Sequence, residues 1–366
     1  AGAYFTVIAN PSLKWETQIS TDIALEFGLF DCLTGTIEYF KKDSKDLLFD
    51  VSQPASVGVT SIIQNIGKVT NSGVEIELDY NAFKNKDWSV SVGANATFVK
   101  NKIKNLPATM KENGYISGSK KWLEGKSIYE FWLRQWHGVD PQTGDGLYVA
   151  DVSKYNQGNI GTGDGNITQS QFDEYKKTVV TIDGKELTNS YTYAKYDFSG
   201  SSIPDVFGGF NVRVSYKNFD LAAVFSYQLG GQVLDTNYAT MMSMTEFGYA
   251  QSPDLLKAWK QAGDITEVPR IDNSAAHTTN IGQSYSTRWL TSSDYLNLRS
   301  VTIGYQFPKA WLSKVMLKSA RLNLTAENLF MLKARQGLNP MANYSGVTYN
   351  EYMPSRNITL GLNVSF

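Results

Sequence analysis

The residue types in this chain that could do chemistry are oxygen donors, aromatic rings and a few charged groups. Asp164, Asn166 and Thr168 alternate in a Gly-rich turn and are spaced like the first ligands of a calcium loop. The twelfth residue counted from Asp164 is Tyr175, with Glu174 one place earlier, so the bidentate Glu of an EF-hand is missing. We expect either a structural Ca²⁺ ion in this loop or an Asx-rich surface turn, and the residues leave both open.

Aromatic residues beside charged groups form a second set of candidates. Trp132 shares an alternating strand face with Glu130 and Arg134, and rings next to hydrogen-bonding groups suit sugars or peptides. We therefore predict Trp132 and Arg134 as substrate-binding residues, together with the loop residues Tyr191, Tyr193 and Tyr344. The alternative for Trp132 is an interfacial belt or a plug contact, and the alternative for Tyr191 and Tyr193 is packing against a lipoprotein lid.

Several function classes find no support in the composition. The net charge is −1, and we expect no nucleic-acid partner. There is one cysteine, Cys32, and His137 and His277 lie far apart, which argues against a disulfide framework and a His-based catalytic or metal site. Acidic residues alternate along one strand at Glu75, Glu77 and Asp79, which indicates a solvated wall rather than paired glycosidase carboxylates. We predict that the protein is not an enzyme and needs no cofactor apart from the Ca²⁺ alternative.

The elements that position these residues are strands with strict alternation. In the last ten residues Ile358, Leu360, Leu362, Val364 and Phe366 alternate with small polar residues, so one face is apolar and the other polar. Burying Glu75, Glu77 and Asp79 of a similar strand in a packed core would be costly, whereas a water-filled lumen removes that cost. Segments of about 10 residues with this pattern are typical of transmembrane barrel strands. The aromatic content of 13% and the 30 glycines fit aromatic girdles and many turns.

About eleven such strands are predicted, including one at residues 128–139 and its return at 146–152. The connections between them alternate between tight and long. Tight turns near Cys32, Lys86, Thr143, Asn218 and Trp311 are placed on the periplasmic side, and the long loops outside. Trp136, close to the Thr143 turn, is then expected in an interfacial belt or against a plug. A soluble β-sandwich would need no such asymmetry.

Six stretches, in order along the chain, resemble SusC/RagA-type TonB-dependent transporters of Bacteroidetes. They are Asn10-Pro-Ser-Leu-Lys-Trp-Glu16, Ile66-Gly-Lys-Val-Thr-Asn-Ser-Gly-Val-Glu75, Gly138-Val-Asp-Pro-Gln-Thr-Gly144, Tyr216-Lys-Asn-Phe-Asp-Leu221, Tyr295-Leu-Asn-Leu-Arg-Ser-Val-Thr-Ile-Gly-Tyr305 and Glu327-Asn-Leu-Phe330. The resemblance implies an all-β, antiparallel transmembrane β-barrel of 22 strands in the outer membrane, with long extracellular loops. Residues 1–366 would form its carboxyl-terminal part, about 11 strands.

The resemblance also implies partners and an activity. The plug domain and the first half of the barrel would lie outside this sequence, TonB would act through that amino-terminal region, and a SusD-like surface lipoprotein would cap the mouth. The implied function is active import of oligosaccharides or oligopeptides across the outer membrane. The alternative is a passive porin or a surface adhesion barrel.

Two further expectations concern the ends of the chain. Phe366, with Leu362 and Val364, resembles the carboxyl-terminal signal that barrel-assembly machinery reads in outer-membrane proteins. Counting strands backward places residues 1–15 in an external loop. We therefore expect this chain to be a fragment of a longer polypeptide, paired with its amino-terminal half and surrounded by outer-membrane lipid.

Overall fold

The computed structural model describes residues 9–366, apart from residues 53–55, 57, 60, 66, 163–164, 244–247, 249 and 283. Strands dominate, and most of them are antiparallel to their neighbours.

The strands of the first half of the chain are β1 (Thr17–Leu29), β2 (Leu33–Lys45), β3 (Leu48–Ser52), β4 (Ser61–Asn65), β5 (Lys68–Lys84), β6 (Trp88–Asn105), β7 (Tyr115–Ser117), β8 (Lys120–Trp122), β9 (Glu130–Arg134), β10 (Trp136–Val139) and β11 (Gly146–Val149). Those that follow are β12 (Val179–Ile182), β13 (Lys185–Thr188), β14 (Tyr196–Ser201), β15 (Val206–Tyr216), β16 (Phe219–Leu229), β17 (Gln232–Leu234), β18 (Leu290–Ser292), β19 (Tyr295–Gln306), β20 (Ser319–Glu327), β21 (Met331–Lys333) and β22 (Asn357–Ser365). The α-helices are α1 (Gln169–Thr178), α2 (Thr236–Met241), α3 (Ala275–Ile281) and α4 (Lys309–Leu312).

One large sheet organises the molecule. Its strands lie in the order β1-β2-β5-β6-β15-β16-β19-β20-β22, and the short strand β21 pairs with the far end of β19. Every neighbouring pair in this order is antiparallel. The nine strands of this path are 9 to 18 residues long, enough for each to cross a hydrocarbon core, which needs ~9–11 tilted residues.

Local turn chemistry explains the tight hairpins. Between β1 and β2, Phe30 and Asp31 both have positive φ (55° and 52°), as a hairpin turn with matching twist requires. Between β5 and β6, the Asn85 carboxamide oxygen accepts hydrogen bonds from the backbone N–H groups of Asp87 and Trp88 at 2.9 and 2.8 Å. These short polar contacts hold adjacent strands in register without a core beneath them.

All short connections of the sheet lie at one edge, and all long connections lie at the other. The short edge carries residues 30–32, 85–87, 217–218 and 307–318, whereas the opposite edge carries residues 46–67, 106–205, 230–294 and 328–356. This asymmetry agrees with the prediction for the turns near Cys32, Lys86, Asn218 and Trp311. We call these two boundaries the short-turn edge and the long-connection edge.

The prediction that residues 128–139 and 146–152 are strands of the same sheet is wrong. The first segment divides at Gln135 into β9 and β10, and β9 pairs with β14 and β8 while β10 pairs with β11. With 5 residues in β9 and 4 in β11, neither is long enough to span a bilayer. The Thr143 turn and Trp136 therefore lie inside the connection 106–205 and not at the short-turn edge.

The described residues of this chain leave the outward, apolar face of the large sheet exposed. Even in its middle strands, Ile303 is 49% exposed and Leu324 is 42% exposed, and the two are paired across β19 and β20. At the short-turn edge an aromatic row continues through directly paired residues of four strands: Trp88, Tyr216, Phe219 and Tyr305. An apolar face of this extent, bordered by aromatic rings, needs an apolar medium.

The opposite face of the same strands is polar, and charged side chains on this face form ion pairs with one another. Asp220 and Arg321 form a bidentate ion pair with both N···O distances at 2.7 Å, and the pair passes over Gly304. A side chain at Gly304 would collide with both partners, which explains the glycine at this position. On the first strands Glu38 lies directly opposite Glu75, and Glu75 is solvent exposed, as expected for a wall that faces water.

The buried core lies among the long connections. One cluster draws residues from three of them, including Phe131, Leu133, Leu234, Trp289 and Val347. Two smaller clusters lie under the connection 106–205. The long connections are therefore packed structures with their own interior.

Within the part of the chain that the structure describes, no helix has both the length and the apolar character to cross a membrane.

Candidate functional site

The four-stranded sheet β14-β9-β8-β7 positions two of the predicted binding residues, Trp132 and Arg134. Strand β9 buries Phe131 and Leu133 completely in the main core cluster, so its other face, with Glu130, Trp132 and Arg134, is turned away from the core. This is the alternation that the sequence shows. It places Trp132 and Arg134 side by side on a half-buried surface.

Trp132 is surrounded by rings and a cation. Its ring is stacked against Tyr196 at a centroid distance of 6.2 Å and meets the edge of Phe198 at 4.9 Å. The ammonium group of Lys121 lies 4.1 Å from the Trp132 ring centroid. A ligand that stacked on this indole would have to displace one of these neighbours.

Arg134 is held between two tyrosines. Its guanidinium carbon lies 4.8 Å from the Tyr191 ring centroid and 4.6 Å from that of Tyr196. Its Nε donates to the Tyr191 carbonyl oxygen at 2.9 Å. The structure thus brings Trp132, Arg134 and Tyr191 together, with Tyr196 between Trp132 and Arg134, as an aromatic ladder with cations against its rings.

Tyr193 lies apart from this ladder. It packs against Tyr155 at 4.9 Å and Tyr175 at 5.8 Å, in the cluster beneath helix α1. Burial raises the pKa of Tyr175 to about 12, and the Tyr175 hydroxyl is one of the few buried side-chain groups in the described residues that lack a hydrogen-bond partner. Tyr193 therefore packs inside the connection 106–205, and its role in substrate binding stays a prediction.

Tyr344 lies at a polar pocket beside the long-connection edge. It is 74% exposed and contacts Tyr129 edge-on at 5.7 Å. The pocket measures about 240 Å³, and polar side chains from β16, β17 and the connection 328–356 line it, among them Gln228, Gln232 and Asn343. Because Gln228 alternates with the apolar-face residues Tyr227 and Leu229, the pocket adjoins the polar face of the large sheet.

Gln232 lines this pocket and has unused hydrogen-bonding capacity. Its Oε1 is buried and has no partner, which is energetically costly, while the neighbouring Gln228 donates to Ser293. A donor that entered the pocket could satisfy Gln232 after a rotation of its carboxamide. Sequence reasoning missed Gln232 because nothing in its type or spacing separates it from other loop residues.

Trp136 contacts a half-buried arginine, Arg288, that the sequence did not single out. The Arg288 guanidinium carbon lies 4.7 Å from the Trp136 ring centroid and 4.3 Å from that of Trp289, and its Nη1 donates to the Ile281 carbonyl. Burial lowers the pKa of Arg288 to about 10 and raises that of the nearby Tyr148 to about 12. This group ties the connection 106–205 to the connection 230–294.

The calcium prediction falls partly outside the described residues, because Asp164 is not among them. Thr168 is the cap of helix α1: its hydroxyl accepts from the Gln171 N–H at 3.2 Å, and the Gln171 side chain caps in return. Within the described residues no group of three or more His, Cys, Asp or Glu side chains converges. Ca²⁺ binding at Asp164, Asn166 and Thr168 stays a prediction.

The assembly prediction concerns residues that the structure places on the apolar face. Leu362 and Val364 lie on β22, and Leu362 pairs with Leu322. Phe366 follows the strand and is 80% exposed. Their role as an assembly signal stays a prediction.

Comparison with known proteins agrees with this architecture. Residues 1–159 match the family model described as TonB dependent receptor-like, beta-barrel. TonB-dependent receptor P3 of Formosa agariphila is 29% identical, in an alignment that covers 100% of this chain and 36% of the relative. The fold and these matches make the chain similar to TonB-dependent receptor β-barrels.

Within that class, the resemblance to the SusC/RagA type is confirmed. TonB-dependent receptor SusC of Bacteroides thetaiotaomicron is 24% identical over 98% of this chain and 32% of its own length. The structure titled RagAB peptide importer in the 'closed-closed' state contains a chain that superposes with a TM-score of 0.77 at 25% identity, covering 99% of this chain and 36% of that one. The chain thus spans between 32% and 36% of the curated relatives that it matches.

Proposed function

We propose that this chain is the carboxyl-terminal part of an outer-membrane transporter that imports oligosaccharides or oligopeptides with energy delivered through TonB. The observation that carries the proposal is the two-sided sheet, with an uncovered apolar face outside, a polar face inside, and every long connection at one edge. Such a sheet is stable in a bilayer when its apolar face meets lipid and its polar face lines water.

Both edges of the sheet support pairing with further strands. In β1 and β22 the outer backbone N–H and C=O groups have no neighbouring strand among the described residues. Unpaired strand edges do not persist in hydrocarbon, because each unsatisfied group costs several kcal/mol there. We infer a closed barrel of about 22 strands, completed by the amino-terminal half of the same protein, with its plug.

The long-connection edge supports an extracellular, substrate-collecting role. Its connections hold the aromatic ladder and the polar pocket, and both hydroxyl groups of sugars and N–H groups of peptides could donate to Gln232. The name of the RagAB relative describes a peptide transporter, so oligopeptides are the first class to test. A SusD-like lipoprotein is the proposed partner over this edge.

Uptake measurements test the proposal. In the native bacterium, deleting the gene of the full-length protein should abolish growth on defined oligopeptides or oligosaccharides as sole nitrogen or carbon source, and deleting tonB should do the same. Gln232→Leu should lower apparent affinity by roughly 2–10-fold, the loss expected for one hydrogen bond. Ser345→Ala, next to Tyr344, serves as the control.

The opposing outcomes are distinct. Uptake that continues without TonB would indicate a passive pore and contradict the proposal. If cells that lack the gene take up both substrate classes normally but no longer attach to surfaces, the protein is an adhesion barrel.

A further inference from the structure

On β2 and β6 the outward face changes from apolar to basic within one row of residues. The last apolar row on β1, β2, β5 and β6 consists of paired residues, Ile23, Tyr39, Val74 and Phe98. The next outward row toward the long-connection edge consists of Thr21, Lys41, Ser72 and Lys100. The row after it consists of Ile19, Asp43, Thr70 and Lys102. Lys100 and Lys102 are both exposed.

The rise along β6 from the aromatic row to Phe98, the last outward apolar residue before the lysines, matches the thickness of the apolar band of a membrane. Strand β6 starts at Trp88, in the aromatic row of the short-turn edge, and reaches Phe98 ten residues later. At ~3.4 Å per residue and a tilt of ~40°, ten residues rise ~26 Å, close to the ~25 Å apolar band of outer-membrane barrels. Lys100 and Lys102 would therefore lie at the level of lipid headgroups.

A groove of about 750 Å³ opens beside these lysines. Tyr39, Val74 and Phe98 form an apolar part of its wall, and Lys100, Lys102 and Lys126 contribute ammonium groups. Two carboxylates, Glu130 and Asp205, also line it. The apolar wall of the groove continues into the lipid-facing surface, and the amines lie at its end. This arrangement is complementary to a lipid that has an acyl chain and a phosphate headgroup.

No ion pair among the described residues neutralises the charges of Lys100 and Lys102. Among the described residues, neither has a carboxylate within 4.0 Å, whereas Asp43 is shared between Lys41 at 3.5 Å and Lys68 at 3.6 Å. Glu130 acts on Lys120, and Asp205 lies against Gly230 at the start of the connection 230–294. Lys126 is placed over the Phe198 ring at 4.6 Å.

We propose that this groove binds a phosphorylated lipid of the outer leaflet, with its phosphate on Lys100 and Lys102 and an acyl chain along Tyr39, Val74 and Phe98. The inference rests on the membrane-facing assignment of this face in the proposed function, and it adds a specific ligand site to it. A second outward groove, lined by Phe210, Tyr227, Leu296 and Leu332, has Asp294 in its wall. That groove holds one amine, Lys333, against the Asp294 carboxylate, whereas the first groove holds three amines against two carboxylates.

Native mass spectrometry of the purified full-length protein tests the site. Dioleoyl phosphatidic acid is the probe, dioleoyl phosphatidylcholine the neutral-headgroup reference, and Lys100→Gln/Lys102→Gln the test variant. We expect the unmodified protein to retain phosphatidic acid about tenfold more strongly than phosphatidylcholine, and the variant to lose that preference. Lys84→Gln/Lys86→Gln, with the same loss of charge at the opposite edge, should behave like the unmodified protein.

The remaining outcomes discriminate clearly. Displacement of phosphatidic acid by millimolar inorganic phosphate would show an ion site rather than a lipid site and overturn the inference, as would equal lipid preference in both double variants. Either result with TonB-dependent uptake intact would leave the transport proposal standing. A protein that fails to enter membranes at all would contradict both.

Discussion

Lys120 shows how a long connection can bury a charge-bearing residue. Its Nζ donates to the Tyr129 carbonyl oxygen at 2.8 Å and lies 3.2 Å from the Phe131 ring centroid. Burial lowers the pKa of Lys120 to about 7, although the charge of Glu130 opposes the shift. The residue therefore gives up its proton in the folded state several pH units before it does so in the unfolded chain.

This shift has a definite sign for stability. Between pH 7 and about 10.4 the unfolded chain binds the Lys120 proton and the folded chain does not, so this lysine destabilises the fold increasingly as pH falls and contributes no penalty above that range. Replacing it by an uncharged side chain removes the penalty.

Lys120→Met should accordingly raise the temperature at which proteases cut within residues 106–205 when measured at pH 7, and the gain should shrink at pH 9.5. Lys121→Met is the control, because Lys121 lies on a half-exposed ring. A gain that is the same at both pH values would contradict the buried-lysine explanation.

At the scale of elements, neighbouring residues of strand β20 lie on opposite faces of the sheet, one toward lipid and the next toward water. Leu324 lies on the apolar face and pairs with Leu360, whereas Thr325 lies on the polar face, 3.0 Å from the Thr302 hydroxyl. Each neighbouring residue along the strand thus meets a different solvent, as the period of two requires.

Leu324→Arg should reduce the amount of protein inserted in the outer membrane, since a basic residue on the lipid face costs roughly 2–4 kcal/mol at mid-membrane. Thr325→Arg, one position along, should insert at nearly normal levels because its charge reaches water. Surface protein measured by immunoblot of membrane fractions gives the comparison, and equal insertion of the two variants would rule out the face assignment.

At the scale of the whole molecule, the separation of short and long connections implies an orientation. Tyr349 lies in the connection 328–356 and is 66% exposed, whereas Asn85 and the native Cys32 lie at the short-turn edge. In a bilayer these two edges face different compartments.

In a Cys32→Ser background, Tyr349→Cys should react with a membrane-impermeant maleimide on intact cells, and Asn85→Cys should react only after lysis. The protein with its native Cys32 should behave like the Asn85 variant. Labelling of Asn85→Cys on intact cells, without labelling of Tyr349→Cys, would reverse the topology.

Alternation and turn chemistry in the sequence determined the long strands, their two faces and the short-turn edge. Those features are local, because a strand's side-chain period and a hairpin's turn depend on neighbouring residues. The six resembling stretches determined the class of protein. Alternation alone also predicted that Trp132 and Arg134 share a face of β9, because the other face of that strand, with Phe131 and Leu133, is buried in the core.

Only the tertiary structure decided which sheet a strand joins and which distant residues it contacts, because side-chain alternation carries no information on either. Residues 128–139 alternate like a membrane strand, yet they form two short strands, because a half-buried strand in a folded connection has the same pattern as one between lipid and water. The partners of Trp132, the separation of Tyr193 from Tyr191, and the exposed position of Tyr344 depend on contacts between residues far apart in the chain. The same holds for Gln232 and for the lysine row, where register between strands brings Lys41 and Lys100 to one height.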